Sequence, residues 1–146
     1  MLIIWGFLQL AFGVIVNYLV QRFAIQDYLI WFGIGNLVVW FFIGRYSVYQ
    51  LKNKAIDQTM LASLQANLIG ILAFIIYYLE LFATSIIFSY SQHYFLPMTE
   101  LIKRIMNQDI ISQILYLDKV FLISLLLHML VFGVGYITGK KQTLLE

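Results

Sequence analysis

The sequence predicts an all-α integral membrane protein: a four-transmembrane-helix bundle with an amphipathic interfacial helix between the third and fourth helices. Three observations predict it. Of 146 residues, 62% are hydrophobic and 11% charged, with a mean hydropathy of +0.88. A soluble domain carries about a quarter charged residues, so this chain as a soluble protein would lack a polar coat. The apolar residues also fall into four runs long enough for a hydrocarbon core of about 30 Å. Finally, one segment between the last two runs alternates apolar and polar residues at helical spacing.

The first run, about 2–20, lacks the basic leader and small-residue cleavage site of a secretory signal. It reads as a retained membrane helix. The short turn "QRFAIQD" then predicts an antiparallel hairpin with the second run, about 28–46. The third run, about 60–90, is over-long, roughly 45 Å at 1.5 Å per residue. An amphipathic helix follows over about 98–116, with Pro97 near its start and Thr99 as N-cap. Leu101, Ile102, Ile105, Met106, Ile110, Ile111, Ile114 and Leu115 form one stripe; Glu100, Lys103, Arg104, Asn107, Gln108 and Ser112 form the other. Next to membrane spans, such a helix reads first as lying in the interface. The alternative is a docking surface for a partner, carried by Leu101, Ile105, Lys103 and Arg104. The fourth run, about 120–137, ends in "TGKKQ", and residues 1–146 read as one domain.

Lys and Arg set the expected orientation. With both termini inside, Arg45, Lys52, Lys54, Lys140 and Lys141 face the cytoplasm, against Arg22, Lys103, Arg104 and Lys119 outside. Lys103 and Arg104 sit on the amphipathic helix and can snorkel. The expectation is a bacterial cytoplasmic membrane, the bias toward Ile, Phe, Leu, Lys and Tyr resembling an AT-rich genome.

Composition excludes several functions. Without cysteine there is no disulfide, thiolate nucleophile or Cys-ligated metal. A formal charge of +2 without a basic, aromatic-interleaved patch argues against nucleic acid as a partner. No GxSxG, phosphate loop, HExxH or clustered acidic residues occur, so neither enzyme, metal site nor cofactor is expected.

Helical wheels gather the small and polar residues of each run on one face. The first carries Gly6, Gln9, Gly13 and Asn17; the second Gly33, Asn36, Trp40, Gly44 and Ser47. The third carries Ala62, Ala66, Gly70, Ala73, Tyr77, Glu80 and Thr84; the fourth Ser124, His128, Gly135 and Thr138. In lipid, small residues let backbones approach and polar side chains bond across the contact, so these faces point inward. Asn67 falls off its shared face.

Gln9, Asn17, Asn36, Tyr77, Glu80 and His128 therefore make a polar seam. Its bland reading is interhelical hydrogen bonding, worth about 0.6–2 kcal/mol per contact. Its functional reading is a proton, ion or substrate site, for which the intramembrane carboxylate Glu80 is the natural focus. The spacing allows a ladder from His128 and Asn36 to Glu80 and Asn17. Two functions follow: a non-enzymatic accessory or subunit of a larger membrane complex, and, as the alternative, a small homo-oligomeric transporter or channel using the seam. The expected partners are the bilayer and another membrane protein or a second copy.

Overall fold

The computed structural model describes residues 2–25, 28–51, 59–80, 88–106 and 113–143. Almost all of those residues are helical, with no strand among them. The order is α1 (Ile3–Phe23), α2 (Leu29–Leu51), α3 (Thr59–Ala66), α4 (Leu68–Glu80), α5 (Phe88–Met106) and α6 (Gln113–Thr143). The spans Ile3–Phe23, Leu29–Tyr49 and Lys119–Lys141 are each long and apolar enough to cross a membrane. The pair α3 and α4 makes a fourth if its 57° bend is counted within one broken span.

Each inward face has a contact that explains it. Gly44 and Gly135 pack α2 onto α6: a Cβ on either would run into a carbonyl of the other helix, Phe132 or Phe41. Gly139 lies against the Arg45 carbonyl in the same seam. Gly6 brings α1 onto Ile69 of α4. All five residues of the α2 face, Gly33, Asn36, Trp40, Gly44 and Ser47, are buried. This is how a helix bundle holds together where apolar surface alone gives no preference between helix and lipid.

Two elements differ from the sequence expectation, each for a local reason. The over-long third run is split at Asn67. The Asn67 backbone N–H and side-chain Nδ2 both donate to the Ser63 carbonyl, at 3.1 and 3.0 Å. A side chain that competes for a helix carbonyl offers the backbone another geometry, and here the axis turns. Asn67 thus lies off the helical face because it is the hinge.

The second difference concerns Pro97, which sits inside α5. Proline has no N–H, so the carbonyl four residues earlier, that of His93, loses its helical donor. Gly13 of α1 closes directly on that carbonyl. One turn on, Gly33 of α2 meets the Pro97 carbonyl. Two glycines therefore seat α5 between α1 and α2.

Much of the apolar face of α5 is spent inside the bundle. Tyr94, Phe95, Met98 and Ile102 are fully buried with Tyr77, Val120, Phe121 and Leu125 in one core cluster. Phe95 stacks on Phe121 with ring centroids 4.8 Å apart, and Tyr77 meets Phe121 edge-on at 4.7 Å. Leu101 rests on Gly33, whereas Ile105 is 63% exposed. Residues 107–112 of the expected amphipathic helix lie outside the described residues, as do Lys52 and Lys54.

Candidate functional site

Three residues of the polar seam meet at one level of the bundle. The Asn36 amide nitrogen lies 2.8 Å from His128 Nε2. With the amide nitrogen donating, Nε2 accepts and the ring proton of the neutral imidazole sits on Nδ1. Trp40 Nε1 donates to Gln9 Oε1 at 3.2 Å, and Gln9 Nε2 donates to the Tyr94 carbonyl at 3.1 Å. The Trp40 ring lies 5.3 Å from the His128 ring, and Tyr94 meets His128 edge-on at 5.9 Å. This chain of bonds ties α1, α2, α5 and α6 together.

Its depth follows from α6. His128 is nine residues from Lys119 and thirteen from Lys141, the ends of that span. At 1.5 Å per residue it is about 14 Å from one end and 20 Å from the other. The polar layer is therefore near mid-span, where unsatisfied polar groups are most costly.

Three atoms in this layer have no hydrogen-bond partner among the described residues: His128 Nδ1, Ser124 Oγ and Tyr94 Oη. Ser124 and His128 are one turn apart on α6, and both are fully buried. Asn67 Oδ1 at the hinge is likewise buried and unpartnered among them.

The other expected seam residues lie elsewhere. Asn17 accepts from Gln21 at 3.3 Å, and the two help line a small cleft of about 200 Å³ with Gln92 and His93. Tyr77 packs in the core beside Phe121. Glu80 is the last residue of α4, and its side chain lies outside the described part of the molecule. Of the expected docking residues, Lys103 pairs with Glu100 on its own helix at 2.7 Å, and Arg104 is exposed.

Sequence reasoning missed the feature that makes the polar layer accessible. The hairpin partners α1 and α2 barely touch, because α5 lies between them on the inner side. On the outer side they leave a cleft of about 1010 Å³. It is lined by Trp5, Leu8, Phe12 and Ile25, by Trp31, Phe32, Val39 and Ile43, and by three polar floor residues: Gln9, Asn36 and Trp40. From Trp31 to Ile43 the groove runs about 18 Å along α2 at 1.5 Å per residue. Phe12 and Phe32 approach across it, with ring centroids 6.3 Å apart. All three tryptophans of the chain line it.

Gly35 also lines the cleft, and it is unlike the seam glycines: a Cβ there would meet nothing within 4 Å. Its neighbour Asn36 points to the floor, so Gly35 keeps the wall thin beside the polar group. A signal exists in the sequence, since Gly35 lies one residue off the shared face of the second run, but a helical wheel gives it no role.

Among the described residues, no group of His, Asp or Glu is placed to hold a metal. Compared with protein-family models, curated proteins and solved structures, the chain matches none.

Proposed function

We propose that this protein is a non-enzymatic accessory protein of a bacterial cytoplasmic membrane that holds the apolar chain of a membrane-soluble molecule in the α1/α2 cleft. The cleft carries the reading. A large apolar pocket with a few convergent polar groups is the usual form of a small-molecule site. This one opens between two helices long and apolar enough to cross a membrane, so its ligand enters sideways from the bilayer. In this reading α3 and α4 together form the third of four spans, both termini face the cytoplasm, and the end of α5 lies at the membrane boundary. Exposed Ile105 and Arg104 there form the edge that meets a larger membrane complex.

Native mass spectrometry of the detergent-solubilised chain tests it. The wild type is expected to retain an apolar adduct. Gly35→Leu starts its side chain where a Cβ meets no described atom within 4 Å, so it is expected to lose the adduct while melting at or slightly above the wild-type temperature. Equal retention by both proteins defeats the proposal.

His128 Nδ1, Ser124 Oγ and Tyr94 Oη, buried with no partner among the described residues, favour a second reading, the small homo-oligomeric transporter. It requires a proton or ion flux in liposomes that disappears in His128→Gln. Absence of flux in the wild type removes it.

A further inference from the structure

We infer that the ligand of the cleft is a quinone-type lipid, a flat ring carrying carbonyl oxygens on an apolar tail. This rests on the proposed function above and names the chemistry of the occupant.

Depth gives the first argument. The polar floor sits near mid-span, about 14 Å from the nearer end of the Lys119–Lys141 span. A phospholipid keeps its polar groups at the headgroup level, so its tail would set methylenes against Gln9 and Asn36. Leaving spare amide capacity against hydrocarbon is costly. A molecule whose polar group travels within the bilayer core avoids that mismatch.

The hydrogen-bond inventory gives the second. Each amide nitrogen carries two hydrogens. One hydrogen of Gln9 Nε2 goes to the Tyr94 carbonyl, and one of Asn36 Nδ2 goes to His128 Nε2. The Trp40 N–H is committed to Gln9 Oε1. What remains at the floor is one N–H on each amide and the Asn36 Oδ1 acceptor. Two donors beside one acceptor suit a ring oxygen, which accepts as a quinone carbonyl and both accepts and donates as the reduced hydroxyl.

The walls give the third. Trp5, Trp31 and Trp40 line the cleft with Phe12 and Phe32. Aromatic faces suit a planar ring, which stacks or packs edge-on against them. Gly35 beside Asn36 leaves the space a ring needs close to the amide.

The test uses the full chain in nanodiscs of saturated phosphatidylcholine, and reads tryptophan emission because every tryptophan borders the cleft. Two probes with tails of similar length are titrated: a decyl-substituted benzoquinone, and bromododecane, a quencher with a tail and no ring. The quinone is expected to quench saturably near equimolar ratio. Its half-saturation should lie at least about tenfold below that of bromododecane, the value of about one hydrogen bond. Gly35→Leu should weaken both probes about tenfold or more, and Asn36→Leu should bring the two probes together. If both probes saturate with equal strength in the wild type, the ring assignment fails and the chain-holding function stands. If neither saturates, or Gly35→Leu changes nothing, both fail. A Cβ at Gly35 meets no other residue, so the test survives even if Asn36→Leu does not fold.

Discussion

The α2–α6 seam and the α1–α2 cleft use glycine in opposite ways. In the seam, Gly44, Gly135 and Gly139 each face a carbonyl of the neighbouring helix, too close for any side chain. In the cleft, Gly35 faces open space. Helices distant in sequence are locked together, while the two joined by a short turn stand apart. The same residue type thus marks both a contact completed between helices and a place where the helices leave a gap.

Breaking the seam should have the largest effect. Gly135→Leu forces a side chain into the Phe41 carbonyl, where rigid backbone cannot give way. We expect a loss of about 3 kcal/mol or more, read as a large fall in melting temperature in detergent. A melting temperature near wild type would mean the seam is looser than the glycines imply.

The Asn36–His128 pair tests the layer where seam and cleft meet. Either Asn36→Leu or His128→Leu strands a buried polar partner and should cost about 1–3 kcal/mol. The double variant removes both groups and should recover part of that loss, because a matched apolar pair leaves nothing unsatisfied. Strictly additive losses would show that the 2.8 Å contact carries no coupling.

The smallest effect sharpens the contrast. Gly35→Ala should raise stability by about 0.5–1 kcal/mol, the helix-interior advantage of alanine, since no contact opposes it. A matching Gly44→Ala should lower stability, because its Cβ meets the Phe132 carbonyl. Equal signs for the two substitutions would erase the distinction.

Much of the architecture is legible in the residue pattern. Spacing alone puts Gly33, Asn36, Trp40, Gly44 and Ser47 on one face, and all five are buried. Gln9, Asn36 and His128, on the inward faces of three runs, also come together: Asn36 bonds His128, and Gln9 bonds Trp40, whose ring packs on His128. Pro97 and Asn67 escape such reasoning because their effect depends on contacts the chain makes elsewhere. Pro97 sits inside α5 at the turn on which α1 closes, with Gly13 packed against the His93 carbonyl. An asparagine off the helical face gains meaning only when the helix turns there, as its bond to the Ser63 carbonyl shows. The Glu80 side chain, the most functional in aspect from the residue pattern, lies outside the described part of the molecule.

The sequence by itself determined that the chain is helical and apolar enough to enter a membrane, and which face of each helix turns inward. Those properties follow from composition and from the 3.6-residue period, both local. Only the tertiary structure decided that α5 lies between α1 and α2, holding the hairpin open and leaving the cleft over Gln9, Asn36 and Trp40. That outcome depends on which glycine meets which carbonyl across many residues of chain, and periodicity within one helix carries no information about its neighbour.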